Sequence, residues 1–153
     1  MSTASPQHTF PLSAFETTRT IEFADTDMGG IVHFSRFFVF METAEHELLR
    51  ALGAEVHMTL KGQNIGWPRV EASCRYIKPA RLGDVLQIKV RVQKKGTRSM
   101  VYEMTFSVNN VVIAQGRVAS VCCVMGSSDG LQPIVIPTMI AEKLVEAASA
   151  DVA

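Results

Sequence analysis

Cysteine is scarce and odd in number: Cys74, Cys122 and Cys123 are the only three, and the last two are adjacent in an apolar run. That excludes a disulfide framework and points to reduced, buried thiols in a cytoplasmic setting. An excess of charge of one sign is also missing. Fifteen basic residues stand against fifteen acidic ones, which excludes a global electrostatic attraction to nucleic acid or to an anionic membrane. No apolar run approaches the roughly 18–20 residues of a membrane-spanning helix, and the opening M-S-T-A-S-P-Q-H-T-F-P-L has no basic region of the kind that begins a secretory signal. Internal repeats are absent. With 153 residues, the chain is most simply one domain, long enough to bury roughly 70% of the surface its unfolded form would expose.

What is present is organised around Phe23 to Gly53. An acidic, glycine-containing loop, Asp25 to Gly30, feeds one long helix. Phe34, Phe37, Phe38, Met41, Ala44, Leu48, Ala51 and Leu52 recur at intervals of three and four, the stripe of a helix with one buried side. Arg36, Thr43, His46, Glu47 and Arg50 fall largely opposite, and Gly53 provides a left-handed stop. The loop is therefore held at a helix N-terminus, where unpaired N–H groups and the positive end of the macrodipole favour negative charge or polarise a carbonyl.

The other segments read as strands. Residues 1–15 are rich in Ser, Thr and Pro without a period and are expected to be a mobile leader to a domain over 16–148. Arg19, Ile21 and Phe23 alternate with Thr18, Thr20 and Glu22, a half-buried strand ending at the loop. A mixed connection over 54–66 leads to Val70, Ala72, Cys74 and Tyr76 alternating with Arg69, Glu71, Ser73 and Arg75. Leu86, Ile88, Val90 and Val92 give the cleanest alternation, and Lys95-Gly96 turns the chain back. Tyr102, Met104, Phe106 and Val108 follow; Asn109-Asn110 reads as a tight hairpin. The next strand spans about Val111 to Met125, with its 118–125 end buried on both faces, and a closing helix is expected over 138–148. This order predicts an α+β domain, an antiparallel five-stranded sheet with one helix packed across it, and the uncovered sheet surface predicts a symmetric dimer.

The run Asp25-Thr26-Asp27-Met28-Gly29-Gly30-Ile31-Val32-His33-Phe34 before an aromatic-rich helix resembles the signature of the 4-hydroxybenzoyl-CoA thioesterase family of the hotdog fold. Gly66-x-Pro68-x-Val70, Tyr76-x-x-Pro79-Ala80 and Asp84-x-Leu86 follow in the family's order, so the resemblance covers about residues 18–140. It implies a sheet wrapped around the helix and hydrolysis of acyl-CoA thioesters by a homodimer or homotetramer with sites at the dimer interface. By position, Asp27 matches the family's catalytic carboxylate, as general base or nucleophile. The backbone N–H of Phe34, seven residues on, matches the oxyanion donor. Gly29 and Gly30 would let the chain pass close to the thioester. Lys94, Lys95 and Arg98 match the hairpin that tends to meet CoA phosphates. His33 and Phe34 depart from many relatives, which carry Tyr or Trp followed by Tyr or His.

Asp25 is read as structural, and His33 as a packed imidazole. Glu42, Glu45 and His46 sit close on the helix, but Glu42 and His46 supply only two metal ligands, so an ion pair is expected there and no metal. Ser73, Ser99 and the cysteines lack a His and an acid at readable spacing for a nucleophile triad. The expectation is an acyl-CoA thioesterase with no metal or redox cofactor. An acyl-carrier-protein thioesterase and a non-catalytic acyl-CoA-binding module are the alternatives; Asp27 speaks against the second, which has no need of a carboxylate at the thioester.

Overall fold

Side-chain alternation and one unbroken helical stripe build the fold of the computed structural model, which describes residues 7–149. In chain order it has β1 (Ala14–Thr20), a 3-10 turn (Phe23–Asp25), α1 (Arg36–Ala51), β2 (Met58–Leu60), β3 (Gln63–Gly66), β4 (Arg69–Tyr76), β5 (Val85–Lys95), β6 (Ser99–Val108), β7 (Val111–Val121), β8 (Cys123–Ser127), β9 (Gly130–Pro133) and α2 (Thr138–Ala141). The main sheet is antiparallel in the order β1-β5-β6-β7-β4. Its five members correspond to the five expected strands, although the first ends at Thr20 and leaves Phe23, expected on its buried side, 81% exposed in the following 3-10 turn. A second sheet, β2-β3-β8-β9, was not expected.

In β5, Leu86, Ile88, Val90 and Val92 are at most 2% exposed and face α1, while Gln87 and Lys89 face solvent. Asn109 and Asn110 have φ of 49° and 63°, as a tight hairpin between strands of right-handed twist requires. Burial on both faces is found at Val118, Ala119, Ser120, Cys122, Cys123 and Val124, although the chain changes sheets at Cys122.

Helix α1 lies across the sheet with Phe37, Phe40, Met41, Ala44, Glu45, Leu48, Leu49 and Leu52 buried. Each large apolar side chain taken out of water there contributes about 1.5–3 kcal/mol. This corrects the expected stripe: Phe40 and Leu49 are inside, whereas Phe38 is 37% and Phe34 63% exposed. The buried sector is centred about one residue away from the one the spacing suggested. Helix and sheet approach closely at Gly116, where an added Cβ would stand 2.2 Å from Met41 Sδ. The helix ends in a Schellman arrangement, with Ala54 N–H on Leu49 O and Gly53 N–H on Arg50 O, both at 2.9 Å, and Gly53 at φ +81°.

Two other boundaries move. β1 begins at Ala14, and Leu12 already bridges Leu144, so residues 12–15 of the expected leader are built into the fold; residues 1–6 lie outside the described residues. The closing helix is four residues long, not eleven: after Ala141 the chain runs irregularly past Leu12 and β5, with Val145 N–H on Leu12 O and Ala147 N–H on Val92 O. Among the described residues no helix is long and apolar enough to cross a membrane.

Candidate active site

The loop between β1 and α1 is shaped by Asp25. Its Oδ2 accepts the Glu22 N–H at 2.9 Å, closing the 3-10 turn, and its Oδ1 takes Arg36 Nε at 3.0 Å and Nη2 at 2.7 Å. Arg19 Nη2 stands 3.8 Å from the same oxygen, and the Arg19 guanidinium lies over the Phe40 ring at 4.7 Å. The Asp25 carbonyl accepts the His33 N–H at 2.9 Å. Burial by itself would raise the Asp25 pKa, but the Glu22 N–H and the two arginines outweigh it and hold the carboxyl below its ordinary value. One buried, charged acid thus joins the end of β1, the returning loop and the first turn of α1.

Asp27 sits in the tip of that loop. Its N–H donates to Ile31 O at 2.9 Å, its carbonyl accepts the Gly30 N–H at 3.0 Å, and its Oδ1 accepts the Gly29 N–H at 2.8 Å. A Cβ at Gly29 would lie 3.1 Å from that oxygen, and Gly30 has φ +76°. Both glycines therefore serve the acid's placement. The Val32 N–H bonds Ala80 O at 2.8 Å, fastening the loop to the segment between β4 and β5.

Between them opens a trough of about 530 Å³, lined by Asp27, Ile31, Val32, Phe34, Phe37 and residues 76–81. Its walls are mainly apolar and aromatic; Lys78 and Arg81 are its cations. Phe34 lies in the turn that precedes α1, and its N–H meets no acceptor among the described residues. The Phe34 carbonyl accepts the Tyr76 hydroxyl at 2.8 Å. His33 stacks on the Phe34 ring with centroids 4.4 Å apart, and its Nδ1 accepts the Ser35 N–H at 3.2 Å. A carboxylate and a free N–H beside one apolar trough are the parts needed to attack a carbonyl and hold the resulting oxyanion.

The structure brings Asp27, Gly29, Gly30 and Phe34 together and leaves Lys94, Lys95 and Arg98 apart. Thr20 pairs with Val85, so the loop lies at the start of β5, while the basic hairpin lies at its end. That places the hairpin about 30 Å away along the strand. Lys95 is also engaged: its Nζ donates to Ala141 O at 2.9 Å and Leu144 O at 2.8 Å. Within one chain, therefore, these cations and Asp27 lie at opposite ends of β5. Tyr76, Lys78 and Arg81 were not anticipated at the site. The Tyr76-x-x-Pro79 spacing marked the segment, but its place against the loop depends on the long-range pairing of β1 with β5.

Glu42 and His46 stand 3.5 Å apart, but burial lowers the His46 pKa below its ordinary 6.5, so the pair is a contact and not an ion pair at neutral pH. Glu45 does not join them: it is buried against Arg69 Nη2 at 2.8 Å, and burial pushes its pKa up to about 7 against the lowering effect of Arg69. Among the described residues no group of three or more His, Cys, Asp or Glu is placed to hold a metal ion.

The fold and this loop define the class. The sequence profile of the thioesterase superfamily matches residues 29–114, more than half of the chain, which belongs to that superfamily and has its hotdog fold. It is 31% identical over 102 residues to a 1,4-dihydroxy-2-naphthoyl-CoA hydrolase of Thermosynechococcus vestitus, covering 63% of this chain and 68% of that one. It is 25% identical over 117 residues to the acyl-CoA thioesterase YbgC of Haemophilus influenzae, covering 76% and 84%. Among solved structures, a gentisyl-coenzyme A thioesterase superposes with a TM-score of 0.72 at 25% identity, covering 83% of this chain and 99% of that one.

Proposed function

We propose that the protein hydrolyses acyl-CoA thioesters to a free acid and CoA in the cytoplasm, with Asp27 as base or nucleophile and the Phe34 N–H as oxyanion donor. The observation that carries this reading is the meeting, on one apolar trough, of a carboxylate oriented by the Gly29 N–H and the unengaged N–H of Phe34. As a base, Asp27 takes a proton from water as the water oxygen bonds to the thioester carbon. As a nucleophile, it forms an acyl anhydride that water then opens. Either route passes through a tetrahedral oxyanion, and collapse breaks the C–S bond, with CoA leaving as a thiolate that takes up a proton. The activities named for the relatives support a CoA thioester as substrate. The aromatic lining of Phe34, Phe37 and Tyr76 suits a flat acyl group, the class to which 4-hydroxybenzoyl-CoA belongs.

The working unit in this proposal is a homodimer. β4 has an open edge and is exposed on both faces except at Cys74, with Val70 at 66% and Tyr76 at 45%, and such an edge needs a partner or a cover. A two-fold axis pairing β4 with its copy reverses one sheet against the other. The partner's basic hairpin then comes to the end of the assembly where Asp27 lies, and the partner's Lys94 and the partner's Arg98 are the cations this proposal assigns to the CoA nucleotide.

The test is release of free thiol from a panel of aryl-CoA, aliphatic acyl-CoA and acyl-carrier-protein thioesters. Turnover is expected on the CoA esters, fastest with aryl groups. Turnover confined to carrier-bound acyl groups would assign the trough to a protein-presented substrate, and binding of acyl-CoA with no thiol release would make the protein a binding module.

A further inference from the structure

The peptide turn that presents the Phe34 N–H is fastened from within its own loop at three places. The His33 N–H donates to Asp25 O at 2.9 Å, the Arg36 N–H to His33 O at 2.9 Å, and the Ser35 N–H to His33 Nδ1 at 3.2 Å. None of these holds the Phe34 carbonyl. In a helix begun one turn earlier, the Phe38 N–H would bond that carbonyl; here it turns to Ser35 O at 3.2 Å instead. The donor that takes its place comes from another element, the hydroxyl of Tyr76 at 2.8 Å, forty-two residues on at the end of β4.

We propose that Tyr76 is a positioning residue for thioester hydrolysis: its hydroxyl holds the Phe34–Ser35 peptide by its carbonyl, and so fixes the Cα from which the adjoining His33–Phe34 peptide, held at its own carbonyl by the Arg36 N–H, presents the Phe34 N–H to the developing oxyanion. The proposal rests on the assignment of that N–H made above.

The ring gives the hydroxyl a fixed origin. Tyr76 packs edge-on against Phe37 with centroids 5.4 Å apart, and Phe37, only 3% exposed, packs in turn on Phe40 and Phe106 in the core. The path from core to carbonyl therefore runs through packed rings to a single hydrogen bond at its end. Burial, and the Cys74 thiol beside it, move the Tyr76 pKa above its ordinary value of 10, so the hydroxyl keeps its proton and remains a donor at neutral pH. Substrate does not have to meet the hydroxyl for this role. What the hydroxyl sets is the place of the Phe34 Cα, and through it the place of a donor that must face an oxyanion out of line with the ground-state carbonyl, where a displacement of about 1 Å can cost on the order of a hundredfold in rate.

Tyr76→Phe keeps the ring contact and removes the tether. Because three tethers remain, kcat on an acyl-CoA ester is expected to fall roughly tenfold, less than the ~10²–10³ that follows outright loss of an oxyanion donor. KM is expected to stay within about twofold, and so is the affinity for the matching acyl-CoA thioether, which carries a methylene where the carbonyl stood. Tyr76→Leu, which loses ring and hydroxyl together, should show a kcat no higher than Tyr76→Phe. A Phe variant with wild-type kcat would overturn the proposal and leave Tyr76 a packing residue. So would a Phe variant whose thioether affinity drops in step with kcat, because the damage would then lie in binding and not in oxyanion geometry. Asp27→Asn is measured beside them. An inactive Asp27→Asn with a fully active Tyr76→Phe rejects the positioning role alone; an active Asp27→Asn rejects the carboxylate assignment, whatever Tyr76→Phe does.

Discussion

Asp25 is 1% exposed and collects the Glu22 N–H and two N–H groups of Arg36, whereas Asp27, two residues later, is only partly buried and takes the Gly29 N–H of its own turn. The difference follows from where the chain points each side chain. Asp25 closes a 3-10 turn and is aimed inward at β1 and the start of α1, so its charge is consumed in fastening the loop. Asp27 lies beyond that turn, over the trough, with one oxygen committed locally. The D-x-D pair thus divides into an anchor and the carboxylate proposed to react, and the anchor holds the loop that carries the second acid.

That division can be broken first at the anchor. Asp25→Asn leaves Arg36 and Arg19, whose side chains are 33% and 29% exposed, facing a neutral amide, a loss of about 1.5–3 kcal/mol for charge-assisted hydrogen bonds of this kind. Chemical denaturation should show it as a lowered midpoint, and turnover should fall as well because the loop loses its fixed entry into α1. A variant as stable as wild type would show that the loop is held by its backbone bonds alone.

Glu45 sharpens the comparison, being as buried as Asp25 and as close to an arginine. It has one arginine where Asp25 has two and a backbone donor, and its Oε2 lacks a well-directed hydrogen bond. The pKa shifts have opposite signs, and so do their consequences for stability. Asp25, shifted down, adds stability that is present above its unfolded value of 3.8 and lost as pH falls through the folded value. Glu45, shifted up from 4.5 to about 7, costs stability as pH rises through that interval. The interval of 2.5 units corresponds to about 3 kcal/mol. Glu45 therefore contributes a falling component to stability between pH 4.5 and 7, set against a rise from His46, whose pKa burial lowers from 6.5, and Glu45→Gln should remove the falling component. An unchanged slope would mean that Glu45 is ionised in the fold at no cost.

The elements of this comparison were unevenly legible in the sequence. α1 and the five strands of the main sheet announce themselves by local period, and the Asp25 to Phe34 run by its motif. β2, β3 and β9 are short and partly polar, as in Gln63-Asn64, and the apolar run 118–125 gives no sign that Cys122 passes from one sheet to another. Phe40 and Glu45 went inside because the sheet, and not the helix alone, decides which sector is covered. The basic hairpin was assigned by family position, but only the β1–β5 register shows which end of the sheet it occupies.

A smaller effect separates the two sets of cations. If the partner's Lys94 and Arg98 meet the nucleotide, the double Ala variant should raise KM for acyl-CoA severalfold with kcat unchanged, lose much of the salt dependence of binding, and treat an acyl-pantetheine ester as wild type does. Lys78→Ala with Arg81→Ala should show that pattern instead if the trough cations hold the phosphates. Lys95 is left in place, since its Nζ holds the C-terminal segment.

The most direct test is single-turnover hydrolysis of a CoA ester by Asp27→Asn, read beside its thermal midpoint. The side chain keeps its shape and its acceptor for the Gly29 N–H, so the midpoint should stay at the wild-type value, while the rate should fall about 10²- to 10⁴-fold, the usual worth of a general base. A stable Asp27→Asn variant that releases CoA at the wild-type rate would contradict the account.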